Sequence, residues 1–207
     1  MKVLMLNGSP NRFGSTYTCL QYVATSLAEE GIDSEIIWLG DSPLQDCVGC
    51  DACKKLGKCI FDEDIVNEIL EKSKLADGFV FGSPVYYASP GGRIISVLNR
   101  LFYSGAKHLA FKPATAVVSA RRSGTTASLD VFYKYFSINQ MPIVTSQYWN
   151  MAFGRTPEDI RQDYEGVQTM SILGKNMAWI LKSIKIASCN NQQHPSLIEK
   201  THTDFIR

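Results

Sequence analysis

The sequence predicts an α/β domain: a parallel sheet with helices on both faces. Three features of the chain predict it. Short apolar runs alternate with amphipathic stretches along most of its length. The runs are continuously apolar, as strands covered on both faces are, and lack the alternation of a sheet with one wet side. Five such runs separated by helical patterns imply crossover connections, which are almost always right-handed and place helices above and below the sheet.

Lys2 to Leu6 reads as a first buried strand, closed by Asn7-Gly8-Ser9-Pro10. Ser15 or Thr16 is placed to cap a helix running to about Glu30, with Leu20, Val23 and Leu27 at helical spacing and Gly31 ending it. Ser34 to Leu39 is a second strand. A cysteine-rich loop follows. Asp62 or Asp64 then opens a helix with Ile65, Ile69, Leu70 and Leu75 on one face. Gly78 to Gly82 is a third strand, stopped by Ser83-Pro84, and Pro90 suits the first turn of a helix carrying Ile94, Ile95, Leu98 and Leu101. Ala114 to Ser119 is a fourth strand, and Leu129 to Asn139 a helix. Ile143 to Ser146 is a fifth strand. A last helix spans roughly Pro157 to Ile184, with a break expected near Gly166 or Gly174. Residues 1–187 read as one domain. Residues 188–207 read as a polar tail that hugs the surface or crosses to another subunit.

The composition is that of an ordinary globular chain: 207 residues, 45% hydrophobic and 20% charged, which excludes disorder and collagen-like repeats. With 21 Lys+Arg against 20 Asp+Glu the net charge is +1, so no field is built for nucleic acid or a membrane surface. No apolar run approaches a membrane span, and Val3-Leu4-Met5-Leu6 is too short for a signal-peptide core. The chain is expected in the cytoplasm, where thiols stay reduced. There, four of its six cysteines crowded between Cys47 and Cys59 point to metal, redox or packing chemistry before disulfides.

Ligands of such sheets bind at the carboxyl ends of the strands, so the loops that follow them carry the argument. The first, Asn7 to Thr16, is rich in Ser, Gly and Asn and opens a helix. Free backbone N–H groups, the helix dipole and small hydroxyls would suit a phosphate there, with Ser9, Ser15 and Thr16 the best side chains and Asn11 and Arg12 further candidates. An ordinary capped turn is the alternative. It is neither a Walker A loop nor a Gly-x-Gly-x-x-Gly fingerprint.

Gly8-Ser9-Pro10-Asn11-Arg12-x-Gly14-Ser15-Thr16 resembles the phosphate loop of the flavodoxin-like NAD(P)H-dependent FMN reductase superfamily. Gly82-Ser83-Pro84-Val85-Tyr86-Tyr87 resembles the same family's segment after the third strand. Cys47-x-Gly-Cys50-x-x-Cys53-x-x-x-Gly-x-Cys59, followed by Asp62 and Asp64, is similar to its iron–sulfur flavoprotein branch. The resemblance covers roughly residues 1–185.

It implies a three-layer flavodoxin-like sandwich with strand order 2-1-3-4-5 and bound FMN. It also implies reduced nicotinamide, NADH or NADPH, as co-substrate, and a second electron acceptor that is a small molecule or a protein. No protein acid, base or nucleophile is called for, since the flavin carries the chemistry. Pro84, Val85, Tyr86 and Tyr87 would line the ring, although paired tyrosines also suit core or interface packing. By position, the loop Ser119-Ala120-Arg121-Arg122-Ser123-Gly124 would face the ring's polar edge, with Ser119, Arg121 and Gly124 as contacts. Its Arg-Arg pair departs from the family's small residues, and a solvated basic loop is the alternative. Asn150 stands where relatives have an asparagine near the cofactor.

Cys47, Cys50, Cys53 and Cys59 would hold a 4Fe–4S cluster, with Lys54, Lys55 and Lys58 offsetting its charge. Zinc, or an interface loop without metal, is the alternative. A ferredoxin-fed iron–sulfur electron carrier and a non-enzymatic flavodoxin-like module are the competing functions. The +1 charge argues against the second. The family's habit implies a homodimer or homotetramer, with Phe102, Tyr103 and Tyr148 as interface aromatics. Cys19, Cys189, His108, His194 and His202 form no motif.

Overall fold

In the computed structural model, residues 1–198, 201 and 203 are described. The elements in chain order are β1 (Lys2–Asn7), α1 (Ser15–Glu29), β2 (Asp33–Trp38), α2 (Ala52–Leu56), α3 (Val66–Leu75), β3 (Gly78–Tyr86), β4 (Ser89–Pro90), α4 (Gly92–Leu109), β5 (Ala114–Ala120), α5 (Thr125–Ile138), β6 (Met151–Phe153), α6 (Pro157–Gln162) and α7 (Tyr164–Cys189). The parallel strands run in the order β2-β1-β3-β5-β6, and β4 folds back antiparallel on the end of β3. With β4 set aside, this is the expected 2-1-3-4-5 order.

Successive residues of each strand enter opposite cores, as the strand period of two requires. Leu4, Leu6, Phe79, Phe81, Ala116 and Val118 pack with α3, α4 and α5. Val3, Met5, Val80 and Val117 pack with α1 and α7. Both faces of the central strands are therefore dry, which is why their sequences are continuously apolar. α7 approaches α1 closely at Gly174, where a Cβ would lie 2.7 Å from the Val23 carbonyl oxygen.

Several boundaries differ from the sequence reading. β3 does not stop at Ser83-Pro84: both residues pair with β5, and the strand continues to Tyr86. Pro90 is not in a helix but pairs with Val85 in the β3–β4 hairpin, and α4 begins at Gly92. The two-residue turn of that hairpin is Tyr87-Ala88, with φ of +50° and +59°. Both central residues are left-handed, as a type I′ turn demands, without the usual Gly or Asn.

The fifth strand is Met151–Phe153 rather than Ile143–Ser146. Ile143 makes only a single bridge to Ala114. Beyond it the chain leaves the sheet edge, and the side chain of Thr115 replaces ladder bonds by donating to the Val144 carbonyl at 2.7 Å and accepting from Asn150 Nδ2 at 2.8 Å. α5 begins at Thr125, four residues before the expected Leu129, because Gly124 at φ +88° serves as its N-cap. The last helical region breaks at Asp163, near Gly166 as expected, and runs unbroken through Gly174. Thr156 and Asp159 form a capping box on α6, and Asp163 Oδ1 accepts from Gly166 N at 3.0 Å to cap α7. α7 continues to Cys189, past the expected end, and the following His194 ring stacks on Phe111 with centroids 4.5 Å apart. Among the described residues, no helix is long and apolar enough to cross a membrane.

Candidate functional site

The carboxyl ends of β1, β3 and β5 meet in an open cleft of about 410 Å3, within the size range of small-ligand sites. Its first wall is the loop after β1, which is wound on its own side chains. Asn7 is buried; its Oδ1 accepts from Ser9 N (3.1 Å) and its Nδ2 donates to the Arg12 carbonyl (2.9 Å). Ser9 Oγ accepts from Asn11 N (3.1 Å), and Trp38 Nε1 donates to the Ser9 carbonyl (2.8 Å).

The helix that follows has Gly14 as its N-cap and no side-chain cap, so the capping expected of Ser15 or Thr16 is not what they do. Thr16 Oγ1 lies 2.8 Å from Ser119 Oγ, tying α1 to the end of β5. Ser15 Oγ is buried with no hydrogen-bond partner. The amides of Ser15, Thr16 and Tyr17 have no backbone acceptor, as the first turn of a helix dictates. This surplus of donors at the positive end of a helix fits a phosphate monoester.

The structure gathers Ser9, Asn11, Ser15, Thr16, Pro84, Val85, Tyr86, Ser119 and Arg121 around the cleft. Three other expected residues lie outside its lining. Arg12 turns away, its guanidinium 5.3 Å from the Phe13 ring and 5.5 Å from Trp38. Tyr87 is fully exposed on the hairpin turn. Gly124 packs behind that turn, where a Cβ would come within 2.6 Å of Ala88 Cα. Asn150 also lies off the cleft, buried against Thr115 with its Oδ1 unpartnered. Ala120, within the loop expected at the polar edge, also lines the cleft, as do Gly154 and Arg155, which the sequence reading did not single out. These last two follow β6, and misplacing that strand hid them.

The cysteine loop lies against α4. Cys47, Cys50, Cys53 and Cys59 all line one small cavity of about 20 Å3, together with Phe61 and Tyr103. Left-handed Gly49, Asp51 and Gly57 curl the chain around it. Asn67 clips the end of the loop by accepting from Cys59 N and donating to the Cys59 carbonyl, both at 2.9 Å. All six thiols are free.

Burial pushes the Cys53 thiol up, and the other three cysteines of the loop reinforce the shift. Burial pushes Cys19 to about 12, which fits a packing role inside the α1 face. Among the described residues, no three His, Cys, Asp or Glu side chains are grouped to hold a single metal ion. All four cysteines nevertheless line the same cavity, an arrangement that a multi-iron group with one thiolate per iron can use.

Two of the three lysines expected to offset charge are paired with carboxylates, Lys54 with Asp51 (2.8 Å) and Lys58 with Asp62 (2.5 Å). The cation in contact with a loop sulfur is Arg100, buried on α4, whose Nε donates to Cys59 Sγ at 3.1 Å. Its signal in the sequence was a lone arginine beside the apolar stripe of Val97, Leu98 and Leu101.

The sequence model of the NADPH-dependent FMN reductase family matches residues 1–156. The chain belongs to this family. Two relatives extend the match past that region. An iron–sulfur flavoprotein of Methanocaldococcus jannaschii is 35% identical over 196 residues, covering 89% of this chain and all of the relative. An iron–sulfur flavoprotein of Methanosarcina thermophila is 25% identical over 190 residues, covering 89% and 97%. Among solved structures, a flavodoxin from the domain Archaea superposes with a TM-score of 0.61 at 13% identity, over 88% of this chain and 99% of that one. This FMN reductase family member is thus a flavoprotein oxidoreductase of flavodoxin-like fold, and the donor-rich cleft at the sheet's carboxyl edge is where its fold places a ligand.

Proposed function

We propose that the chain binds FMN in the cleft and a 4Fe–4S cluster on Cys47, Cys50, Cys53 and Cys59, and passes electrons between a reduced nicotinamide donor and a second acceptor. The observation that carries this reading is the cavity lined by all four cysteines and by Arg100 and Tyr103 of α4, the helix whose N-cap, Gly91, packs against Tyr86 and Pro84 of the cleft wall. The names of the curated relatives support it. When bound, FMN supplies two-electron chemistry and the cluster a one-electron relay.

The protein's own residues bind and orient. Ser15 Oγ, with the amides of the first turn of α1, holds the phosphate, and Ser9, Asn11 and Thr16 shape its cradle. Pro84, Val85 and Tyr86 form the flat wall, stiffened by Ser83 Oγ, which accepts from Gly91 N at 2.9 Å. Ser119 and Arg121 face the polar edge. Arg121 and Arg155 are exposed at the cleft and make no ion pair among the described residues. They favour an anionic nucleotide as donor over a purely protein-fed carrier.

Cys50→Ser is expected to retain FMN while losing iron and sulfide after anaerobic reconstitution; equal iron in variant and wild type would remove Cys50 from the ligand set. Stopped-flow mixing with NADPH and NADH tests the donor. A flavin that neither nucleotide reduces, yet reduced ferredoxin does, would favour the electron-carrier alternative.

A homo-oligomer is proposed on the exposed Tyr103 and Tyr148, joined by Tyr86, Tyr87 and Trp149, a set of large aromatics typical of interfaces; Phe102, expected among them, packs against the core instead. A monomer in light scattering would overturn it.

A further inference from the structure

Arg100 has the largest fully buried side chain among the described residues. A guanidinium carries five N–H donors in a fixed fork, and here each has an acceptor. Nε donates to Cys59 Sγ at 3.1 Å. Nη1 donates to the Gln45 carbonyl at 3.1 Å and to Asp64 Oδ2. Nη2 donates to the Phe61 carbonyl at 2.8 Å and to Asp64 Oδ1 at 3.0 Å. The Phe61 ring lies 5.4 Å from the guanidinium carbon. Gln45 precedes the first cysteine of the loop, and Phe61 and Asp64 follow the last. One side chain on a rigid helix therefore grips both ends of the loop and one of its sulfurs.

The choice of acceptor is the informative part. A neutral thiol is a weak acceptor, and a buried ion pair adds little stability over an apolar replacement. An arginine whose only task was to staple the loop would not need Nε aimed at sulfur. A metal-bound thiolate is a strong, charged acceptor, and donors to ligand sulfurs set a cluster's potential and the orientation of its ligands.

We propose that Arg100 is a positioning residue for the cluster. It fixes Cys59 Sγ at the cavity, and its N–H···S bond makes the cluster easier to reduce. This rests on the reading that the four cysteines hold iron. Reduction adds negative charge to the cluster, and a buried cation with a donor on a ligand sulfur stabilises that added charge with little screening by solvent. The flavin cleft has no contact with Arg100, so the flavin's own potential is left unchanged.

The test compares wild type, Arg100→Lys and the double variant Arg100→Met/Asp64→Leu. Lysine keeps the charge and loses the fork. The double variant replaces the ion pair with apolar groups and protects folding. Bound FMN reports the fold of each. Both variants are expected to show a lower cluster midpoint potential in a spectroscopically monitored redox titration, with the flavin potential as an unchanged internal reference. Iron release to a chelator is expected to be about 10–100-fold faster, the usual cost of losing an outer partner of a ligand. A folded variant that takes up no iron while wild type does also supports the proposal. An unchanged cluster potential in an iron-loaded variant would overturn it and leave Arg100 a structural staple. Wild type that binds FMN but takes up no iron on anaerobic reconstitution would sink the cluster reading itself, and the proposal with it.

Discussion

Ser15→Asp is expected to be purified without flavin and to stay colourless when FMN is added. Ser15 is the first residue of α1, its hydroxyl is buried and unpartnered, and the amides beside it lack acceptors. A carboxylate there would satisfy those donors from within the chain and meet the FMN phosphate with like charge. The expected loss of affinity is at least about 100-fold, or roughly 2.7 kcal/mol at 1.4 kcal/mol per tenfold. Folding is not expected to suffer, because an acid in the first turn of a helix is favourable by about 0.3–1 kcal/mol. Ser15→Ala, which deletes one hydrogen bond to a charged group worth about 1.5–3 kcal/mol, is expected to weaken FMN about 10–100-fold. Fluorescence titration with FMN and with riboflavin separates the causes. Riboflavin has no phosphate, so its affinity is expected to be nearly the same in wild type and Ser15→Ala. A parallel loss for both ligands would place the phosphate elsewhere.

Asp64→Ala is expected to be the most destabilising single change at the cysteine loop, by about 3 kcal/mol, because breaking a buried pair leaves an uncompensated charge. Arg100 is buried, and Asp64 supplies two of its five acceptors. The same carboxylate also accepts from Val66 N at 3.0 Å at the start of α3. Desolvation works against the guanidinium, and the bonds to Asp64 and Cys59 outweigh it, holding its pKa above the ordinary value. Removing Asp64 leaves the desolvation with less to offset it. Urea unfolding of cluster-free protein is expected to show a lower midpoint with an unchanged slope. A midpoint equal to wild type would mean that the Arg100 fork is satisfied without Asp64.

The sheet was legible because its strands are buried on both faces and so carry unbroken apolar runs. β1, β3 and β5 show this most clearly, and the loops that follow β1, β3 and β5 form the cleft. The errors fell where side chains take over from backbone pairing or capping. Ile143 to Ser146 has the composition of a strand, yet Thr115 and Asn150 complete that edge and the paired segment comes later, at Met151. That misplacement concealed Gly154 and Arg155 at the cleft. Pro90 obeys a rule for helix starts, but the Tyr87-Ala88 turn folds it onto β3. The break near Gly166 is made by Asp163, whose carboxylate caps the new helix, while Gly174 serves close packing. Asn7 and Arg100 were overlooked because their roles depend on partners distant in sequence or hidden in a loop. A polar residue at the end of a strand and a basic one beside an apolar helical stripe are the only traces they leave.

The central claim is that one chain holds FMN in the cleft and an iron–sulfur cluster on the cysteine loop. Counting FMN, iron and acid-labile sulfide per chain in wild-type protein, prepared and reconstituted without oxygen, tests it most directly. About one FMN with about four irons and four sulfides per chain is expected. Protein carrying a full complement of FMN but no iron or sulfide would contradict it.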